Sequence, residues 1–393
     1  MNLSDKISSA LGDGVELRAV EDQYSALGPT PEAVAAPRDE ASARELILLC
    51  ARDGHPLVVR GGGTKWHSGA KPAKVDLVLL THHLNTVWDH DEGNATLEAG
   101  AGLTLAAANA VIGTQRQFVP IDEPDTATLG GIVATGASGS WRQKYGAPRD
   151  LVTGLRAVLS DGRVIHGGAK VVKNVAGYDL PKLFIGSHGT LGLLTRVILR
   201  LRPNDVATAT WSADFPNWKA LEAGAWEILD GPFEPTSLRA TVTPTAFHLR
   251  ARFDGGEGAV HAQLTRLPPG YDEAPVVTEA VLWSLRTAVP LREAPAIGRA
   301  ALEAGAHTVE WDCGLGILSA HFGEDFKAEQ VKQLRGVVER TGGYLIVERA
   351  PLDHRTAAVV WGDARPDVGL MKGLKAAYDA KGIFAPGRFV GGV

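Results

Sequence analysis

Three consecutive glycines stand directly after an apolar run in LVVRGGGTKWHSG, residues 57–69. Glycine loses more backbone freedom on ordering than any other residue, so an ordered triplet has to be demanded by geometry. Two demands would serve: a tight turn, or a backbone brought so close to a ligand that no side chain can intervene. The segment before it, APRDEASARELILLCARDGHP, reads as a helix capped by Asp39 or Ser42. Ala43, Leu46, Ile47 and Cys50 form its apolar stripe, and Gly54 with Pro56 ends it. Residues 57–59 then read as a buried strand, so the order is helix, strand, glycine-rich loop. Dinucleotide folds and phosphate-binding NTPases put a helix after such glycines. Here TKWHSGAKPAK follows, with Gly69 and Pro72 inside it, and neither signature is matched.

Two more small-residue tracts occur before residue 204. IDEPDTATLGGIVATGASGS spans 121–140 and carries Gly130, Gly131, Gly136 and Gly139. KNVAGYDLPKLFIGSHGTLGLLTRVILRLRP closes the first half of the chain. Backbone N–H groups freed by glycine form concavities that suit anionic oxygens. The scarcity of Lys and Arg in 121–140 agrees with an anion held by amides. Tight turns in a chain with 46 glycines are the competing explanation.

Between the tracts, VDLVLL reads as a strand and NTVWDHDEGNATLEAGAG as a hairpin turning at Asp91–Asn94. LTLAAANAVIG reads as a helix capped by Thr104 and stopped at Gly113, and LRAVLSDGRVIHGG as a hairpin with Asp161–Gly162 at its turn. Past Pro203 tryptophans and prolines replace the glycine tracts, which places a boundary near 203–210. TGGYLIVERAP and TVEWDCGLGILSAHF alternate as strands, with FKAEQVKQLRGVVER as a helix packed on them.

The formal net charge of -5 provides no field that would gather nucleic acid. Two cysteines, Cys50 and Cys313, exclude a disulfide framework and a four-cysteine zinc or iron–sulfur site within this chain. The composition fits a reduced, cytoplasmic setting. The start reads as neither a secretory signal nor a membrane span, and LFIGSHGTLGLLTRVILRLRP is broken by glycines, His188 and Arg196.

PLVVRGGGTKWHSG, EPDTATLGGIVATGASG, RDLVTGLRAVLSDGRVI and KVVKNVAGYDLPKLFIGSHGTLGLLTRVILRLRP together resemble the FAD-binding domain of the vanillyl-alcohol oxidase/PCMH superfamily. Within it, the third tract and the ending GIFAPGRF are similar to the FAD-binding subunit of bacterial glycolate oxidase. The resemblance implies an α+β fold: a PCMH-type domain of two α/β subdomains over 30–203, after an N-terminal extension at 1–29. An α/β cap follows over 204–365, and a C-terminal helix and tail, 366–393, return to the flavin domain.

Carried over residue by residue, the resemblance assigns Arg60, Gly61, Gly62, Gly63, Thr64 and Lys65 to the FAD pyrophosphate. It places Pro124, Asp125, Thr128, Gly130, Gly131, Thr135, Ala137, Ser138 and Gly139 along the pyrophosphate and isoalloxazine, and Gly189, Leu191 and Gly192 near the adenine. Ile132 and Val133 are expected in the core. Relatives with a histidyl flavin carry the His directly after the loop glycines. Thr64 stands there and His67 lies three residues on, so the FAD is expected to be non-covalent. Arg388 either neutralises flavin or substrate charge or is a surface residue after a turn.

No catalytic residue is assigned. AHFGEDF echoes only the start of the metal-binding H-x-G-D-G-N pattern of relatives, so His321 is taken as a strand-to-loop histidine and no metal is assigned. His82 and His83, being adjacent, are expected on opposite sides of a strand, which argues against a joint metal site. Tyr178 and Asp179 are read as shaping a turn, and Lys170 and Lys173 as a solvated strand face. The resemblance implies oxidation of glycolate or a similar small 2-hydroxy acid to the 2-oxo acid. It also implies a related FAD subunit and an iron–sulfur subunit as partners, which could bring the chain to the inner face of the membrane. A self-sufficient FAD oxidase or dehydrogenase of an alcohol, aldose or lactone, and a non-catalytic scaffold subunit, are the alternatives.

Overall fold

The computed structural model describes residues 2–169, 179–204, 207–271, 281–363 and 366–393. Lys170, Lys173 and Tyr178, with most of the KNVAGYDL run, lie outside the described residues. The chain forms two compact units. One comprises residues 1–139, 146–204 and 363–393, and the other 140–145 and 205–362.

The first unit opens with α1, Leu3–Leu11, and β1, Val15–Arg18. β2 (Ala33–Pro37), α2 (Glu40–Asp53), β3 (Leu57–Arg60) and β4 (Leu77–Leu80) follow. Both proposed caps of α2 operate together. The Asp39 carboxylate accepts from the Ser42 amide, and Ser42 Oγ accepts from the Asp39 amide, a reciprocal box in which the cap contributes about 1 kcal/mol. The four strands form one sheet in the order β1-β2-β4-β3, with β2, β4 and β3 parallel and β1 antiparallel at the edge. Side chains alternate across it. Ala33, Ala35, Leu77 and Leu79 pack on Ile7, Leu46, Ile47 and Cys50 of the two helices. Val34, Ala36, Val78 and Leu80 face Tyr24, Leu27 and Trp66. The first residues of the chain are therefore part of this core, with Leu3 and Ile7 buried in it.

The same unit holds a five-stranded antiparallel sheet in the order β5-β6-β10-β8-β9. Its strands are β5 (Val87–Asp91), β6 (Thr96–Gly100), β8 (Val152–Val158), β9 (Val164–Gly168) and β10 (Leu193–Arg200). β7 (Gln117–Phe118) pairs with β11 (Arg202–Pro203). Both expected hairpins form, closing at Asp91↔Thr96 and Val158↔Val164. α3, Leu105–Gly113, is capped by Thr104 as expected, and α4, Leu129–Thr135, is capped by Thr128. Their apolar faces join the sheet in one core, where Ile132 and Val133 are buried. Glu40 ties the two sheets: it accepts from Arg156 of β8 at 2.7 Å and from Thr195 of β10 at 2.6 Å.

The C-terminal segment closes the first unit. The helix Val368–Tyr378 leads into residues 383–385, which run beside β3. The Leu57 amide donates to Ile383 O and the Ala385 amide to Leu57 O. Lys375 in that helix donates to Thr190 O at 2.7 Å and Phe384 O at 2.6 Å, and pairs with the buried Asp379 at 2.7 Å.

The second unit is a seven-stranded antiparallel sheet, β12-β14-β13-β16-β17-β15-β18. The strands are β12 (Ala207–Phe215), β13 (Ser237–Val242), β14 (Phe247–Gly255), β15 (Trp283–Ala288), β16 (Thr308–Asp312), β17 (Ile317–Phe322) and β18 (Tyr344–Arg349). Its apolar face meets the helices Trp218–Asp230, Ala294–Glu303 and Ala328–Arg340 through Trp218, Trp283, Trp311 and Phe322. The period-two alternation leaves a charged opposite face. The register sets Thr241, Glu310, Ser319 and Arg286 in one cross-strand row there.

Candidate functional site

Because β3 and β4 are parallel, their carboxyl ends open at the same edge of the sheet. Open α/β sheets bind ligands outside that edge. Arg60 ends β3 and Thr81 follows β4, and both line a cavity within the first unit. The cavity is walled by the loop 60–66, by Ala101, by Thr128 and α4, by the loop 187–192 with Leu194, and by Arg388.

The glycine loop answers the question its sequence raises in two parts. A Cβ on Gly61 would lie 2.0 Å from Thr128 Oγ1, and one on Gly62 would lie 1.8 Å from Thr126 O. These glycines are required because the loop is pressed against residues 126–128. Gly63 has φ +77°, a left-handed conformation that favours glycine. The consequence is a run of exposed amide donors: among the described residues, the N–H groups of Gly62, Gly63, Thr64 and Lys65 donate to no protein acceptor. Successive unpaired N–H groups at a concave surface make an anion cradle.

Two further polar groups are left over at this wall. Arg60 Nη1 and Thr81 Oγ1 are buried with no hydrogen-bond partner among the described residues. The Arg60 guanidinium lies 4.9 Å from the Tyr24 ring and 5.2 Å from the Trp66 ring, and burial holds its pKa below the usual value. A buried donor without a partner costs about 1–3 kcal/mol, so the wall is complete only with an acceptor in the cavity.

The second tract contributes differently from the expectation. The amides of Leu129 and Gly130 donate to Leu103 O and Ala101 O, and that of Gly131 to Thr128 Oγ1. Gly130 is required by Ala101, whose Cβ would lie 2.7 Å from an added Cβ. The start of α4 therefore offers surface, not free donors. Thr128, Gly130, Gly131 and Thr135 line the cavity, whereas Pro124, Asp125, Ala137, Ser138 and Gly139 do not. Pro124 O and Asp125 O instead accept from the Ala127 and Ala106 amides and so fix the loop before α4. From the third tract Gly189 and Gly192 reach the wall; Leu191 is turned into the core under the sheet.

Arg388 is no surface residue: it is 5% exposed. Its guanidinium donates to Trp66 O at 3.1 Å and Ser68 O at 2.7 Å, so it clamps the loop that follows the glycines. Its positive charge and burial push the His188 pKa down to about 3, burial being the larger cause, so that imidazole is neutral at pH 7. Trp66, Thr81 and His188 were not singled out as site residues. The signal that would have found Thr81 is the pair of neighbouring parallel strands with glycine-rich or turn residues at their carboxyl ends. His67 does not line the cavity, and Thr64 does.

In the second unit His321 is half-buried on β17 and lies 3.7 Å from Glu310. The neighbouring His321 imidazole, with Arg239 adding to it, holds the Glu310 carboxyl below its usual range. The expectation for His82 and His83 is corrected. They occupy a turn after β4 instead of a strand, and both rings turn to Glu16 of β1, at 3.4 and 2.5 Å.

The profile of a family described as an FAD binding domain matches residues 31–168. That part of the chain is an FAD-binding domain. The cavity, with its unpaired amides and buried unpaired donors, lies largely in this domain and fits a diphosphate-bearing cofactor. Glycolate oxidase subunit GlcD of Bacillus subtilis is 34% identical over 225 residues, 57% of this chain and 47% of that protein. D-lactate dehydrogenase of Archaeoglobus fulgidus is 36% identical over 184 residues, 47% and 41% of the two chains. Glycolate oxidase subunit GlcE of Escherichia coli is 31% identical over 222 residues, 56% and 61%. The chain thus spans about half the length of the curated relatives it matches. A solved structure of alkyldihydroxyacetonephosphate synthase superposes with a TM-score of 0.64 at 17% identity, covering 90% of this chain and 76% of that one. This shows a shared fold. Among the described residues no helix is long and apolar enough to cross a membrane.

Proposed function

We propose that the chain is the FAD-binding subunit of a glycolate oxidase-type complex that oxidises a small 2-hydroxy acid to the 2-oxo acid. The observation that carries this reading is the run of unpaired amides from Gly62 to Lys65 at the cavity in the FAD-binding domain. Those amides would hold the diphosphate, with Arg60 and Thr81 supplying the remaining donors. FAD supplies the two-electron acceptor for the hydride of the substrate's CH–OH carbon. The printed names of the relatives, glycolate oxidase subunits, D-lactate dehydrogenase and D-2-hydroxyglutarate dehydrogenase, support a 2-hydroxy acid as substrate.

The chain's own residues bear on the rest. With two cysteines, both buried, the chain has too few ligands for an iron–sulfur cluster, so electrons leave through a partner that has one. Thr64 at the cavity wall in place of a histidine supports non-covalent FAD.

The test is to purify the chain alone, record its visible spectrum, and add glycolate or D-lactate without oxygen. A yellow protein that bleaches only when partner subunits are present supports the complex, and acid precipitation should release all of its flavin. Bleaching by the chain alone assigns the hydride transfer to a self-sufficient enzyme. A colourless protein that FAD cannot reconstitute refutes the reading.

A further inference from the structure

We infer that Glu16, His82 and His83 form a binding site for a divalent transition ion of the zinc class. Each offers one ligand atom, and the three atoms lie within 4.8 Å of one another. Two imidazoles and a carboxylate are the donor set that suits zinc, with bonds of about 2.0–2.2 Å and an open position for water. The fold, not the local sequence, assembles the set. β1 pairs with β2 at Glu16↔Ala36, and β2 lies beside β4, so the turn after β4 comes to the level of Glu16.

The carboxylate is already divided between two tasks. Arg18 Nε holds Oε1 at 2.7 Å, while Oε2 faces His83 Nε2 at 2.5 Å and His82 Nε2 at 3.4 Å. Arg18 thus orients Glu16 as an outer partner orients a ligating carboxylate. Its Nη2 is 3.4 Å from His82 Nε2 and has to turn aside for the ion, which its 45% side-chain exposure permits. The histidines are 39% and 27% exposed, so an ion can reach them from solvent. A second group, Glu32, His55 and Asp76, is less suited, because one oxygen of Asp76 already serves both His55 and Lys74.

The test is calorimetric titration of zinc chloride into the flavin-loaded chain freed of metal with a chelator. Wild type and H55A should each show one site that weakens more than about tenfold in H82A/H83A and in E16Q. Zinc should also protect His82 and His83 of the wild type from diethyl pyrocarbonate, read by mass spectrometry, a measurement independent of whether the variants fold. Unchanged affinity in H82A/H83A, loss of the site in H55A, or no zinc protection of the two histidines would overturn the assignment.

Discussion

Replacing Lys375 with methionine tests whether the C-terminal helix holds the cavity wall together. Lys375 Nζ donates to Thr190 O and Phe384 O and pairs with Asp379, whose side chain is fully buried. Thr190 belongs to the loop that forms one wall, and Phe384 to the segment beside β3 that leads to Arg388. Methionine preserves the stem but leaves a buried carboxylate without its cation and two carbonyls without their donor. Removing one partner of a buried pair costs about 3–5 kcal/mol. The Ile383 and Phe384 amides still donate to Asp379, so the lower end, about 3 kcal/mol, is expected. Urea unfolding followed by circular dichroism gives the loss. K375M/D379N should be more stable than K375M, because the stranded charge is gone. A loss below about 1 kcal/mol, the scale of an exposed pair, would refute the buried-pair reasoning. So would a double variant no better than K375M.

Gly62→Ala puts a Cβ where only 1.8 Å separates it from Thr126 O, so the loop must lift and its amides lose their aim; FAD reconstitution should weaken more than about tenfold, and wild-type affinity would contradict the cradle. His188, with its pKa pushed down to about 3, stays neutral in the folded chain while the unfolded chain takes up a proton below about 6.5. Stability is therefore lost as pH falls through that window, by at most about 2 kcal/mol at pH 5, and His188→Leu should flatten this part of the urea-midpoint profile. Burial pushes the Cys50 thiol up to about 12 and the Cys313 thiol well above its usual value, so neither should react with iodoacetamide until the chain is denatured.

What could be read in advance was local. Asp39, Ser42 and Thr104 act on backbone groups within a few residues, and the two hairpins close on their own turn residues. The glycine tracts marked the cavity for the same reason, since a missing Cβ is written in the sequence whatever it faces. What it faces is not. Gly61 and Gly130 are demanded by Thr128 and Ala101, residues remote in the chain, and only the packed structure distinguishes a glycine freed for a ligand from one freed for a neighbouring loop. The committed amides of α4 follow from that packing. Long-range groups were the least legible. Glu16 meets His82 and His83 because β1 joins the sheet edge, and Lys375 meets Thr190 because the tail returns to β3. The adjacency argument for the two histidines failed because alternation holds within a strand, and β4 ends at Leu80, before either of them. That failure has one origin: a periodic rule was applied beyond the element that makes it true.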